Sequence, residues 1–343
     1  MGGSDGSHGL DGSDGEAGTG SAAVQGGDEA IRAASADGSV LAFAASGARL
    51  CEQARRRQDL WPTAAAATGR VLVATALLAL PLKAGGVTVR VAGDGPLGGI
   101  LAAATPDGDV RGYAVHGQVD LPPRPDGKLD VGGAVGRHGV LRVTRESGLG
   151  QPYTGSAPLV SGEIAEDFAS YFLRSEQVPS LVALGVLVGR GGRVRAAGGL
   201  IVQLLPGAAE GVAERLQANA QGIGAISRAL DAGAAPEQLV EAALQGFAPR
   251  VLERRPLRFR CRCGRRRVVG VLRGLPAADL RAMRVEDGGA EVVCHFCGRR
   301  YRFTAAELGA MEAHAQAHAA AQAGAPGRAR PGGGTAGGHG GPA

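Results

Sequence analysis

Two close pairs of cysteines constrain the C-terminal third of this chain more than any other feature. Cys261 and Cys263 form a CxC pair, and after thirty further residues Cys294 and Cys297 form a CxxC pair. Two thiolate pairs on two facing turns supply the four ligands that tetrahedral Zn²⁺ requires. The spacing therefore predicts one zinc ion per chain, bound by these four sulfurs in a small C-terminal module.

The cellular compartment decides whether such thiols bind metal or form structural disulfides. The N-terminal residues are acidic, rich in glycine and serine, and lack the apolar stretch of a secretory signal. The longest apolar run, residues 71–82, is shorter than the roughly 20 residues of a membrane-spanning helix. We therefore expect a cytoplasmic protein without a membrane span, in which the cysteines stay reduced and bind metal.

The pattern of residues divides the chain into five parts, in keeping with a length of 343 residues that exceeds a usual single domain. Residues 1–27 and 322–343 are glycine-rich and carry too little apolar surface to become ordered, so both are predicted to be disordered tails. Residues 28–205 alternate strand-like and helix-like patterns, which predicts an N-terminal α/β sheet domain. A helical linker at 206–250 and a zinc-binding domain at 251–321 complete an α+β fold.

Apolar periodicity predicts the elements of the sheet domain. The predicted strands are 87–91, 110–115, 139–144, 181–189 and 194–205, and the predicted helices are 45–58 and 63–80. The second helix is apolar on nearly every face, so we expect it to be buried. The glycine spacing of Gly93-x-Gly95-x-x-Gly98 matches the sequence motif of dinucleotide-binding proteins. No helix is predicted after it, so we predict a tight hairpin there instead.

Three short, alanine-rich helical patterns, at 212–219, 223–232 and 236–246, make up the linker. Helices of about 8 to 12 residues are marginal in water unless they pack against something. We therefore predict a linker of low intrinsic stability. The apolar surface that it covers, around 201–205 and 239–247, is a candidate binding surface.

Positive charge surrounds the cysteines. Residues 254–302 contain fourteen arginines and four acidic residues, a net charge of +10, although the whole chain carries only +5. Nearby positive charge favours the thiolate, so these sulfurs are both good ligands and targets for oxidants. Because metal binding supplies much of the folding free energy of such a module, oxidation that removes the ligands should also unfold it.

Other readings of the same residues remain open. The zinc could be purely structural, or the arginine-rich module could bind nucleic acid through its phosphates. In the second case four aromatic residues would supply stacking: Phe259, Phe296, Tyr301 and Phe303. The fifth cysteine, Cys51, fits a buried small hydrophobe on an amphipathic helix. No nucleophile–base or paired-carboxylate arrangement stands out, so we expect no enzymatic activity.

Several short motifs occur in a fixed order along the chain, in addition to the cysteine pairs. They are LWPTA at 60–64, GDGPLG at 93–98, GKLDV at 127–131, SEQVPS at 175–180, AGGLI at 197–201, and CHFC at 294–297 followed by YRFT at 301–304. Together with the CxC pair they resemble the 33 kDa chaperonin family of redox-regulated heat-shock chaperones. The resemblance covers about residues 30–310.

The resemblance implies an ATP-independent holdase of the bacterial cytosol that binds unfolding client proteins under oxidative stress. In that family the reduced, zinc-bound protein is inactive. Oxidation forms disulfides between neighbouring cysteines, which here would be Cys261–Cys263 and Cys294–Cys297, releases the zinc and destabilises the linker. The resemblance also implies a homodimer in the oxidised state.

Overall fold

The structure, a computed structural model, describes residues 27–148 and 150–323, with side chains described up to residue 317. The predicted disordered tails lie outside the described residues, apart from residues 27, 322 and 323. The described strands are β1 (Glu29–Ala34), β2 (Val40–Ser46), β3 (Gly86–Gly93), β4 (Ile100–Ala104), β5 (Asp109–Ala114), β6 (Gly139–Glu146), β7 (Tyr153–Pro158), β8 (Ser180–Val188), β9 (Val194–Leu204), β10 (Arg250–Pro256), β11 (Arg258–Phe259), β12 (Gly289–Val293) and β13 (Arg300–Thr304).

Helices occur before, between and after the strands. They are α1 (Ala48–Gln58), α2 (Pro62–Ala79), α3 (Val131–Val135), α4 (Ala165–Tyr171), α5 (Val212–Ile223), α6 (Ile226–Asp231), α7 (Pro236–Ala243), α8 (Arg265–Arg273), α9 (Ala277–Val285) and α10 (Ala305–Ala323), and a π-helical turn at Phe172–Glu176 continues α4. The mixture of helices and mostly antiparallel sheets confirms the predicted α+β class.

Two sheets form the core. The first has the order β10-β1-β2-β9-β8 and is antiparallel throughout. The second has the order β11-β5-β4-β3-β6-β7, in which only the short β11 runs parallel to its neighbour. Strands β3 and β4 are antiparallel neighbours joined through the glycine motif, so the hairpin predicted there is confirmed.

Helix α2 lies between the two sheets. It contacts β3, β4 and β5 on one side and β2, β8 and β9 on the other. A helix that is apolar on nearly every face must be covered on most of its surface, and residues 63–69 and 71–79 of α2 are buried. Among the described helices it is the one long and apolar enough to cross a membrane, yet 89% of it is buried inside the protein, as expected of a core helix.

Some predicted boundaries were wrong. Ala45 and Ser46, predicted to begin a helix, belong to β2, where pairing with β9 overrides the helix-forming tendency of the sequence. Ile223, predicted to begin the second linker helix, instead ends α5 because Gly224 follows with φ of +66°.

The linker helices cover the first sheet. Residues of α5, α6 and α7 form a shared apolar cluster with β1, β2 and β9 that includes Ile31, Leu200, Leu230 and Leu239. After α7 the chain returns to the core, because β10 pairs with β1 at the edge of the same sheet. The first residues beyond the predicted linker boundary therefore belong to a core sheet, and the predicted division into domains stays a prediction.

The last part of the chain builds a small cluster of its own. Leu272, Leu280, Tyr301, Phe303 and Leu308 form its centre, supplied by α8, α9, β13 and α10. Helix α10 starts with a capping box, in which the Thr304 hydroxyl accepts from the Glu307 N–H at 3.3 Å and the Glu307 carboxylate accepts from the Thr304 N–H at 2.9 Å.

Candidate metal centre

The two cysteine pairs lie beside short elements that bring them together. Cys261 and Cys263 follow β11 and come just before α8, whereas Cys294 and Cys297 lie in the turn between β12 and β13. In that turn the N–H groups of Cys297 and Gly298 donate to the Cys294 carbonyl oxygen at 3.2 and 2.8 Å. These bonds fold the turn back on itself, as a metal-binding knuckle requires.

The sulfur atoms form one cluster. All four Sγ atoms lie within 4.8 Å of one another. The separations are 3.7 Å between Cys261 and Cys294 and 3.3 Å between Cys263 and Cys297. A Zn²⁺ ion bound tetrahedrally, with Zn–S distances of about 2.3 Å, holds its sulfurs about 3.8 Å apart. The donors and their spacing therefore fit a four-thiolate metal site.

A tyrosine beside the cluster favours one thiolate. The Tyr301 hydroxyl donates a hydrogen bond to the Cys263 Sγ at 3.1 Å. Burial acts to raise the pKa of Cys263, but hydrogen bonds from Tyr301 and the neighbouring thiols lower it to about 7. Burial raises the pKa of Cys261 and raises that of Cys297 to about 12. In a metal-free cluster the lower pKa of Cys263 therefore lets it ionise more readily than Cys261 and Cys297.

A single buried carboxylate lies beneath the CxC segment. The Asp109 side chain, 4% exposed, accepts hydrogen bonds from Arg258 at 2.5 Å and from Arg262 at 3.0 Å, and Arg260 lies 3.6 Å away. Burial opposes ionisation of Asp109, but the hydrogen bonds from Arg262 and Arg258 hold its pKa below the ordinary value. The carboxylate therefore stays charged beneath the three guanidinium groups.

The CxxC turn has a separate attachment to the core. Gln58, at the end of α1, donates to the carbonyl oxygens of Gly112 at 2.5 Å and Phe296 at 3.1 Å. The Phe296 ring packs edge-on against Tyr113 with centroids 5.2 Å apart, and the Arg111 guanidinium lies 4.6 Å from the Phe296 centroid. The turn is thereby fixed to both α1 and β5.

Strand β5 serves both halves of the cysteine cluster. Asp109, Arg111 and Tyr113 occupy alternate positions of this strand, and alternate residues project to the same face. Asp109 contacts the CxC segment, whereas the other two contact the CxxC turn. One face of one core strand therefore holds the two halves in reach of each other.

The remaining candidate residues lie outside the cluster. Cys51 is buried, its Sγ is 3.7 Å from the Gly69 carbonyl oxygen, and its pKa is raised by burial, which confirms the prediction of a buried small hydrophobe. Three of the four rings considered for stacking on nucleic acid are buried in the protein: Phe259, Tyr301 and Phe303. The fourth, Phe296, packs on Tyr113.

Sequence reasoning missed the groups that support the sulfurs. Asp109 lies about 150 residues before the CxC pair, and Gln58 lies about 240 residues before the CxxC pair, so no local pattern links them to the cysteines. The alternating arginines at 258, 260 and 262 were the signal in the sequence, because three positive charges so close together repel each other unless an opposite charge lies nearby.

A family model described as Hsp33 protein matches residues 28–304, which is most of the chain. This chain belongs to the Hsp33 family. The match runs from just before β1 to the end of β13, and so includes both core sheets, the linker helices and all four clustered cysteines. The family resemblance read from the sequence motifs is confirmed.

Hsp33-family relatives match over nearly their whole length. The 33 kDa chaperonin of Symbiobacterium thermophilum is 50% identical over 283 residues, which cover 82% of this chain and 96% of the relative. The 33 kDa chaperonin of Desulforamulus reducens is 44% identical over 282 residues, with the same two shares. The crystal structure of the 33 kDa chaperonin from Thermotoga maritima matches with a TM-score of 0.78 at 35% identity, covering 84% of this chain and 98% of that one.

Family membership establishes the broad function. This Hsp33-family chain is a heat-shock chaperone, and a chaperone of this kind binds unfolded client proteins. Its four-cysteine cluster fits both metal binding and redox-active disulfide chemistry. The expectation that it has no enzymatic activity stays a prediction.

Proposed function

We propose that this chain is a redox-regulated, ATP-independent holdase whose switch is the four-cysteine cluster. In the reduced state Cys261, Cys263, Cys294 and Cys297 bind one Zn²⁺, and the chaperone is inactive. An oxidant such as hypochlorous acid or peroxide accepts two electrons from each pair of thiolates. Cys261 then bonds to Cys263 and Cys294 to Cys297, and the zinc is released.

The observation that carries this proposal is the position of the cluster. Its sulfurs come from two segments with separate attachments to the core, the CxC segment to β5 and the CxxC turn to α1 and β5, so a bound metal would join these two attached segments. The shortest sulfur contacts run between the segments, whereas the proposed disulfides form within each segment. Oxidation would therefore replace links between the two segments with links inside each, and the module would come loose.

The linker helices are the next element that such a change would affect. They hold few residues each and depend on their contacts with β1, β2 and β9. Leu239, Val240 and Leu244 of this region are buried against the sheet. If the linker unfolds, these side chains and the sheet surface near Ile201 become available, and we propose this apolar surface as the client-binding site.

A paired measurement tests the proposal. Zinc release and the light scattering of a thermally unfolding client are followed against oxidant dose, with no ATP present. Both should change together, with one zinc released per chain. Peptide mapping should find Cys261–Cys263 and Cys294–Cys297. An oxidised, zinc-free protein that left client aggregation unchanged would exclude the proposed holdase.

Two cysteine variants provide a matched comparison. Cys263→Ser removes one ligand, so the reduced protein should lose zinc to a chelator far more readily and the C-terminal module should unfold. Cys51→Ala alters a buried thiol that lies outside the cluster and should retain one zinc per chain and a normal oxidant response. If Cys263→Ser only destabilised the fold while oxidants had no effect on the wild type, the zinc would be structural.

The remaining parts of the proposal concern location and assembly. We propose that the protein acts in the cytoplasm and forms a homodimer when oxidised, which sedimentation of the reduced and oxidised forms tests directly. Nucleic-acid binding stays the second hypothesis, but it is not favoured because the aromatic rings of the basic module already pack within the protein. Binding of the reduced form to RNA that weakens steeply with salt would support it.

A further inference from the structure

Positive charges and metal ligands alternate along the segment that leads into the C-terminal module. Arg258, Arg260 and Arg262 occupy every second position, and Cys261 and Cys263 directly follow the last two arginines. Like charges on one face of a strand repel each other. Strand β11 has only two residues in its pairing with β5, so backbone hydrogen bonding alone resists this repulsion weakly.

Asp109 supplies the compensating charge. All three guanidinium groups lie within 3.6 Å of its carboxylate, which is nearly fully buried, while the three arginine side chains are about half exposed. The backbone follows the same register: Arg258 pairs with Asp109, and the Arg258 N–H donates to the Gly108 carbonyl oxygen at 3.0 Å. Side chain and backbone therefore fix the segment at one place on β5.

A neighbouring acid provides a natural comparison. Asp107 is 72% exposed and, within the described part of the chain, forms an ion pair only with Arg262, at 4.0 Å. It adds negative charge close to the same arginines, but it cannot hold the segment because it contacts one flexible side chain from the solvent side. The difference between Asp107 and Asp109 separates general electrostatics from positioning.

We infer that Asp109 is a positioning residue that holds Cys261 and Cys263 against the core and so sets how readily the metal site opens. The CxxC half keeps its own attachment through Gln58 and Tyr113. Loss of the Asp109 charge should therefore free one half of the site and leave the other in place. The consequence for the oxidant threshold rests on the proposed function, whereas the positioning role does not.

The test uses the full-length, reduced, zinc-loaded protein carrying Asp109→Asn. The protein is mixed with a chelator and an alkylating agent, and labelling of each cysteine is followed by mass spectrometry. The three ion pairs are half exposed, so each contributes little. We expect their combined loss to accelerate labelling of Cys261 and Cys263 about tenfold. Labelling of Cys294 and Cys297 should lag behind, and tryptic cleavage within 258–262 should accelerate in parallel.

Further variants keep the test decisive. Asp107→Asn should label at the wild-type rate. Arg258→Gln and Arg262→Gln each remove one half-exposed partner, and should give smaller accelerations in the same direction even if Asp109→Asn does not fold. Wild-type labelling rates in the arginine variants and in Asp109→Asn, or equal acceleration of all four cysteines, would overturn the inference.

The labelling experiment contains no oxidant and no client, so it fails independently of the proposed function. Faster opening of Asp109→Asn combined with an oxidised wild type that protects no client would support the positioning role and exclude the holdase. If the oxidised wild type protects a client but Asp109→Asn shows wild-type cysteine labelling, the positioning role is excluded and the holdase is retained. If the positioning role and the holdase are both supported, Asp109→Asn should release zinc at a lower oxidant dose than Asp107→Asn.

Discussion

Tyr301 donates its hydroxyl hydrogen to the Cys263 sulfur across 3.1 Å, so a strand of the C-terminal hairpin stabilises a thiolate that comes from the other cysteine pair. The tyrosine ring is buried in the small cluster that also contains Phe303 and Leu308. The packing of the module and the chemistry of its sulfurs are thus linked through one side chain.

Tyr301→Phe should weaken metal binding but retain the apolar contacts of the aromatic ring within the module. A lost hydrogen bond to a metal ligand typically lowers affinity about 10-fold or more. Zinc affinity measured by competition with a chelator should fall by that factor. Tyr153→Phe, which alters an exposed tyrosine of β7, should bind zinc like the wild type. Equal affinities for all three proteins would contradict the role given to the hydrogen bond.

The reactivity of the metal-free cluster should depend on pH in a defined direction. The pKa of Cys263 is lowered to about 7 from an ordinary value of 9.0. Its thiolate therefore stabilises the folded protein fully at pH values above this ordinary pKa, and the stabilisation is lost as the pH falls through about 7. Alkylation of Cys263 should therefore rise as the pH increases through about 7. In Tyr301→Phe the midpoint should shift upward. A midpoint that does not move would show that Tyr301 leaves the thiolate unaffected.

Gly298→Ala should loosen the contact between the CxxC turn and helix α1. Gly298 has φ of +68°, and a Cβ atom there would lie 2.6 Å from the Arg57 carbonyl oxygen. Gly288→Ala is the matched control, since φ is +66° but nothing lies within 4 Å of the added carbon. Both variants bear a backbone cost of about 1 kcal/mol. Only Gly298→Ala should also speed tryptic cleavage of α8 and α9, and equal cleavage in the two variants would contradict the docking contact.

Leu239→Ala should destabilise the linker helices selectively. This side chain is buried between α7 and the first sheet, and truncating a buried leucine costs about 2–4 kcal/mol. Amide hydrogen exchange should increase across 212–243, and binding of an apolar dye should increase without any oxidant. Leu252→Ala alters a half-exposed residue of β10 and should change neither measurement. If β3 and β6 lost protection to the same extent as the linker, the helices would not be a separate unit.

The sequence predicted the elements whose pattern is local. Strands β3, β5, β6, β8 and β9 alternate or run as short apolar segments between turns, and α2, which is apolar on nearly every face, was expected to be buried. Strand β1, with the sequence EAIRAA, carries no such pattern, and it becomes a strand because β2 and β10 flank it. Its partner β10 lies more than 200 residues away, and local periodicity holds no information about such a pairing.

The candidate site divides in the same way. The cysteine spacing is a local pattern and was sufficient to predict that the four cysteines come together, which the sulfur distances confirm, whereas zinc binding by them stays a prediction. The groups that hold the two cysteine segments, Asp109 and Gln58, belong to the core and meet those segments only in the folded chain. Their roles depend on tertiary contacts between residues distant in sequence, and a single sequence does not reveal which distant residues meet.

The return of the chain to the first sheet at β10 has a consequence for recovery after stress. The linker leaves that sheet at Leu204 and rejoins it at Arg250, so it is anchored to the sheet at both of its ends. Its two anchors are separated by the width of three strand spacings, about 14 Å. Under the proposed function, an unfolded linker would remain tethered above the surface it left, and its return would compete with a bound client at a high and fixed local concentration. Resetting would need no search through solution, only displacement of the client by the chain's own neighbouring residues.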